Sequence, residues 1–420
     1  MLNLIIKRAY ASGSVVPGAR LGRPSNNLTS GIVGLANVGK STFFQAITNS
    51  SLGNPANYPF ATIDPEEAKV IVPSKRLDHL QRLWDSKKKV PAVLTIYDIA
   101  GLTRGASQGE GLGNKFLNDI RHVDGIFQVV RGFSKTDITH IEGSVNPTRD
   151  LSIVQDELVL KDLEFLEGIR EKLEKKMTKT AKNSMDYKSM ETEVQLLNSL
   201  EDHMYEGKKI AHFKSEWTHE EAAILNKHNF LTAKPSIVLL NVSPKDYLLQ
   251  KNVHLKDVFD WISKNSPGDK LLLFSAEYET NWNRFTAVGD KQGFYEYFRS
   301  LIGDATHSVL HDHSCLPDLI REMRKSLGLI SFFTCGPLEA RQWTLRAGGL
   351  APEAAGVIHS DLQKTFISAD VTKFADLQKL AAPLNESQLK ANALVKRAGK
   401  QYLIEDGDVV LFKAAKGNLR

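Results

Sequence analysis

Cysteine is almost missing from this chain: Cys315 and Cys335 are the only two in 420 residues. That excludes a disulfide framework, leaves no zinc-ligand spacing, and suits a reducing compartment. No run of about 18 apolar residues occurs, so nothing reads as a membrane-spanning helix and no membrane partner is expected. Acidic residues are absent from the start of the chain, where no carboxylate precedes Asp64. The net charge is still only +5, which permits contact with a ribosome or RNA without demanding it, and gives no reason to expect DNA. With 42% hydrophobic residues the chain can build real cores, and its length suggests about three domains.

What the beginning does contain is basic and amphipathic. Leu2, Leu4, Ile5 and Ile6 adjoin Lys7-Arg8, Arg20 and Arg23 follow, and small residues and serines fill the gaps. This is the composition of a mitochondrial transit peptide, and Arg8-Ala9-Tyr10 before Ala11-Ser12 resembles a matrix-peptidase cut site. Residues 1–28 are therefore expected to be a leader, with a mitochondrial matrix location; a disordered basic leader on a cytoplasmic protein is the alternative.

Residues 31–64 organise the rest. Gly34-Leu35-Ala36-Asn37-Val38-Gly39-Lys40-Ser41 fits G-x-x-x-x-G-K-[ST] in every fixed position, after an apolar run and before helical apolar spacing. Glycines let the backbone approach closely, so the N–H groups of Asn37, Val38, Gly39, Lys40, Ser41 and Thr42 can point at phosphate oxygens beside a helix N-terminus. Lys40 neutralises the outer phosphates, and the Ser41 hydroxyl is placed to ligate Mg2+.

Two downstream motifs complete a nucleotide switch. Thr62, in the loop Asn57 to Pro65, is expected to reach the second magnesium position when a γ-phosphate is present. Asp98-Ile99-Ala100-Gly101 ends the apolar run Val93 to Tyr97, so Asp98 can hold a magnesium-bound water and the Gly101 N–H can sense the γ-phosphate. The glycine-rich tract up to Gly113 reads as a mobile switch. Leu102 stands where Ras-like hydrolases place a water-orienting glutamine, and it cannot make that hydrogen bond.

Farther on, Lys and Glu become dense over Pro147 to Phe230. Leu166, Ile169, Leu173, Met177, Met190, Val194, Leu197 and Met204 recur at helical spacing, which predicts two antiparallel helices. The strand Ser236 to Leu240 ends in Asn241-Val242-Ser243-Pro244, where guanine-specific proteins carry N-K-x-D. With Pro244 in the acidic place, guanine loses the acceptor for its two donors, so ATP should be accepted at least as well as GTP. Asn241 and Val242 remain as base contacts, with Ser275 in the closing loop. Strands at Leu329 to Phe333, Trp343 to Leu345, Gln401 to Ile404 and Val409 to Phe412, with a helix between, predict a small β-grasp-like end.

GLANVGKST, NYPFATIDP, DIAGLTRGASQGEGLGNKFLNDIRHVDGIFQVVRGF and LISFFTCGPLEARQWTLRAGGLAPEAAGVIHSDLQKTFI together resemble the Obg-like ATPases, the YchF family of the translation-factor-related GTPase class. The resemblance spans about residues 29–415. It implies an α/β fold: a P-loop NTPase domain of the Obg type at 29–146 and 231–305, a helical coiled-coil domain inserted at 147–230, and a TGS domain at 328–415. It further implies a magnesium-dependent nucleoside triphosphatase that hydrolyses ATP in preference to GTP and works with ribosomes. Many members carry a water-positioning histidine where this chain has Gln128, and glutamate where it has Pro244. Gln128 is carried over as the catalytic candidate beside Lys40 and Thr62, although it cannot titrate near neutral pH. Asn37 matches an asparagine that coordinates a monovalent cation in potassium-activated relatives, so potassium stimulation is expected; equal turnover in sodium and potassium buffers would remove it. A non-catalytic, nucleotide-dependent RNA- or ribosome-binding protein is the alternative function. A small-molecule kinase fits less well, since switch loops replace a lid.

Overall fold

The computed structural model describes residues 19–50, 67–99, 101, 112–135, 141–303, 309, 311–384, 389 and 393–415. The first sheet draws on β1 (Thr29–Val33), β2 (Glu67–Ile71), β4 (Val93–Asp98), β5 (Gly125–Arg131), β6 (Ser236–Asn241) and β7 (Lys270–Phe274), with the short β3 (Lys88–Val90) placed elsewhere. Its order is β2-β4-β1-β5-β6-β7, parallel except for the antiparallel edge pair β2–β4. β5 and β6 are buried along their whole length, as expected of strands covered on both faces. Helix Lys40–Thr48 covers one face through Phe43, whose ring packs edge-on against Phe127 and Phe274.

A helical hairpin rises from this sheet. Asn146 caps helix Pro147–Met177 by accepting from the Arg149 N–H, and Ser184 caps helix Met185–Tyr205 through the Tyr187 N–H. Leu166, Ile169, Leu197 and Met204 share one buried seam, whereas Met177 and Val194 are only half-buried. The separation at Pro147 is less sharp than the composition suggested. Leu151, Val154 and Leu158 on the first third of the long helix pack into the core of the sheet. The hairpin is also tied to the sheet by a buried ion pair, Lys209 to Asp269 at 2.6 Å.

The second sheet adds β8 (Leu329–Cys335), β9 (Glu339–Arg346), β10 (Phe366–Lys373), β11 (Lys396–Ala398) and β12 (Asp408–Ala414), in the order β11-β10-β12-β8-β9-β3. Helix Ala351–Ile358 packs on it through Ala351, Ala354 and Ala355. Two expectations are corrected here. Gln401 to Ile404 is not a strand, because only Leu403 bridges to Leu350, and β10 takes its place in the sheet. The sheet's edge is also not local in sequence: β3 pairs with β9, and Leu77, Leu80, Leu83 and Trp84 of helix Lys75–Trp84 pack with Phe333 and Ala340.

Two expected boundaries also move. Residues 19–28 are not a free leader: Leu28 is buried in the first core, Ala19 bridges Trp217, and the Arg346 N–H donates to Asn26 at 2.7 Å. Arg23 pairs with Asp124, a carboxylate supplied from far along the chain. The nucleotide domain likewise does not finish at residue 305, since Leu316, Leu319, Ile320 and Met323 of helix Leu316–Ser326 belong to its core.

Candidate functional site

The loop between β1 and the helix starting at Lys40 is shaped by steric demands that only certain residues meet. At Gly34 an added Cβ would lie 2.3 Å from the Val129 carbonyl, so no side chain fits there. Asn37 takes a left-handed φ of 61° and Gly39 one of 100°, which turns successive N–H groups inward. Asn37, Ser41 and Thr42 are exposed, while Val38 and Lys40 are buried.

Lys40 extends along the loop and donates to the Leu35 carbonyl at 2.7 Å. Burial pushes its pKa down to about 8, and Asp98 at the end of β4 partly offsets that. Gly101 lies against the same ammonium: a Cβ there would be 3.1 Å from Lys40 Nζ and 3.3 Å from Ala36. The two motifs from distant parts of the sequence therefore meet at Lys40. Thr62, Leu102 and most of the glycine-rich tract lie outside the described residues.

The base side is braced by Asn241. Its Nδ2 donates to the Val38 carbonyl at 2.9 Å, and its Oδ1 accepts from the Ala276 N–H at 3.1 Å, so one amide links the phosphate loop to the loop after β7. Ser275 is buried and caps the helix Ala276–Val288, and the Val242 N–H is taken by the Phe274 carbonyl. Pro244 is the first residue of helix Pro244–Leu249, capped by Ser243, so no carboxylate stands at that place. Gln128 lies within β5, level with Val33 of β1 and Val238 of β6. It is buried, and its Nε2 has no hydrogen-bond partner among the described residues. The Asn241 brace and the close fit of Gly101 on Lys40 are not visible in the sequence pattern, although each residue was singled out by its motif.

The donors fit Mg2+. Ser41 offers an exposed hydroxyl and Asp98 a carboxylate beside Lys40. Among the described residues no group of three or more His, Cys, Asp or Glu is placed to hold a metal. Magnesium, which is commonly held by one or two protein oxygens plus phosphates and water, needs no such group.

A parallel sheet carrying this loop, a D-x-x-G strand end and an asparagine brace define a P-loop nucleoside triphosphatase of the GTPase type, a hydrolase. Residues 29–163 match the family model described as "50S ribosome-binding GTPase", and residues 329–415 match YchF-GTPase_C, described as "Protein of unknown function (DUF933)". The chain is 63% identical over 400 residues to the Obg-like ATPase homolog of Saccharomyces cerevisiae, covering 95% of this chain and 98% of that protein. It is 41% identical to human Obg-like ATPase 1, over 95% of each. The structure of the Schizosaccharomyces pombe YchF GTPase superposes with a TM-score of 0.81 at 44% identity, covering 94% of this chain and all of the other. The chain belongs to the Obg-like ATPase (YchF) family.

Proposed function

We propose that the protein is a magnesium-dependent ATPase, weaker on GTP, that works as a nucleotide-gated factor on the ribosome. The observation that carries the nucleotide preference is Pro244, buried at the first position of its helix where a guanine-reading carboxylate would stand. Without that carboxylate, rejecting adenine has no physical basis at this edge. Asn241 supports the base loop chiefly as a strut, since both ends of its amide are already engaged.

In the chemical step Lys40 holds the outer phosphates by charge, and the inward N–H groups from Asn37 to Thr42 orient them. Ser41 and Thr62 would hold Mg2+, which would supply positive charge to the phosphates. Potassium beside Asn37 is kept as an activator to be tested by the sodium comparison. Gln128 serves as a packed strand residue, and with Leu102 unable to orient water, unassisted hydrolysis is slow.

Gating is supported by chain connectivity. The segment between the Thr62 loop and Asp98 contains helix Lys75–Trp84 and β3, both docked on the C-terminal sheet. β2 and β4 join that docked segment to the two switch motifs, which gives a change there a covalent route to the C-terminal sheet. Competitive binding of ATP and GTP, with and without ribosomal subunits, tests the proposal. ATP is expected to bind at least as tightly as GTP, and ribosomal subunits to shift that affinity. A clear GTP preference, or no effect of subunits, contradicts it.

Lys40 also predicts a pH dependence. Its ammonium is the form that binds phosphate, and the buried group loses its proton near pH 8 while the unfolded chain keeps it to about 10.5. ATP affinity should fall above pH 8 by up to about tenfold per pH unit. Over the same window the nucleotide-free fold should gain stability, because the unfolded state then binds more protons. Titrations at pH 7 and pH 9.5 check both signs.

The mitochondrial matrix is proposed as the location, on the acid-free basic composition of the leader. A fluorescent fusion of residues 1–18, the part of the expected leader that precedes the docked stretch, should enter mitochondria; a diffuse cytoplasmic signal contradicts this.

A further inference from the structure

A cavity of about 960 Å³ opens where the nucleotide domain, the helical hairpin region and the C-terminal sheet meet. Its wall carries seven lysine and arginine side chains against two aspartates. Both aspartates are already engaged: Asp124 takes Arg23, and Asp406 pairs with Arg76 at 2.6 Å. Arg321 pairs with Asp318. Arg20, Lys75, Arg324, Lys325 and Arg346 have no carboxylate within ion-pair distance among the described residues.

Three of these guanidiniums are held by neutral groups alone. Arg20 donates to the Gly328 carbonyl at 3.3 Å, Arg324 to Thr344 Oγ1 at 2.9 Å and Ser331 Oγ at 3.1 Å, and Arg346 to the Leu21 carbonyl at 2.8 Å. Such partners orient a guanidinium without cancelling its charge. Burial lowers Arg324 to about 10, which Asp406 only partly offsets, and Arg346 is lowered by burial and by the neighbouring charge of Arg20 against a smaller opposing effect of Asp124. Buried charge of one sign is costly unless an anion meets it.

Arginines can serve as glue between residues 20–23 and the C-terminal sheet. That role does not account for Lys75 and Lys325, which are exposed on the cavity wall and whose ammonium groups make no hydrogen bond or ion pair among the described residues. The cations surround a concavity instead of forming a stripe that would follow a polynucleotide backbone. Val72, Trp217 and Phe333 add apolar wall that suits an organic group, and the volume lies in the range of small-molecule sites.

We propose that this junction binds a small organic ligand bearing two or more phosphate groups, at a site separate from the phosphate loop. Such a ligand would span Lys75 at the head of the docked helix and Lys325 on helix Leu316–Ser326.

The test uses the full chain with its phosphate loop saturated by magnesium and a non-hydrolysable ATP analogue. Inorganic pyrophosphate and fructose 1,6-bisphosphate are then titrated calorimetrically. Saturable binding of at least one compound is expected, weakened about tenfold or more in the K75E/K325E double variant, while the analogue's affinity stays unchanged. Arg20→Gln, on the cavity wall against Gly328, should weaken it as well, so a misfolded double variant does not shield the proposal. No saturable binding at millimolar concentration overturns it, as does equal affinity in the variants. An RNA oligonucleotide that binds in place of both phosphate compounds, and is lost in the double variant, also overturns it by assigning the face to nucleic acid. The analogue titration reports on the phosphate loop alone, so failure there is distinguishable from failure here.

Discussion

Lys40→Ala should lower ATP turnover by roughly 10²–10³-fold, the usual effect of deleting one preorganised group that meets developing charge. The ammonium is buried, fixed on the Leu35 carbonyl and adjacent to Asp98. No other cation is hydrogen-bonded to the phosphate loop among the described residues. The fold should survive, because removing a desolvated ammonium relieves a cost. The thermal midpoint should therefore stay level or rise while single-turnover phosphate release collapses. Turnover near the wild-type rate would show that the chemistry lies elsewhere.

Gly39→Ala should abolish tight nucleotide binding, with a loss of about 100-fold or more in affinity. Gly39 combines a φ of 100° with a position where a Cβ would sit 2.3 Å from Asn241 Nδ2. Left-handed backbone disfavours alanine by about 1–2 kcal/mol, and the clash displaces the amide that links Val38 to Ala276. Both the inward N–H groups and the base loop lose their anchor together. Nucleotide titration on the variant, with circular dichroism to verify folding, measures this; unchanged affinity would mean that the Asn241 brace does not shape the site.

These two residues also show how far a sequence can be read. The phosphate loop and D-x-x-G are local patterns whose backbone geometry is dictated by glycine and by the strand before them, so Lys40, Asp98 and Gly101 could be assigned before any fold was known. The helical hairpin was legible from apolar spacing for the same reason. The docking of Lys75–Trp84 and β3 on the C-terminal sheet was not, because an amphipathic helix declares that it has a buried face but not which surface covers it. The packing of residues 19–28 is hidden for the same reason: Arg23 looks like one more leader cation until Asp124 stands beside it. Gln128 illustrates the reverse case, a residue selected by resemblance that sits in a central strand with its carboxamide buried.

The central claim is that the loop around Lys40 grips a triphosphate with its divalent ion. Calorimetric titration of folded protein with Mg-ATP at pH 7, run beside Lys40→Ala, tests it most directly. A saturable tight-binding heat in the wild type that is lost in the variant is the predicted result. No heat in the wild type, or equal heat in both, would contradict it.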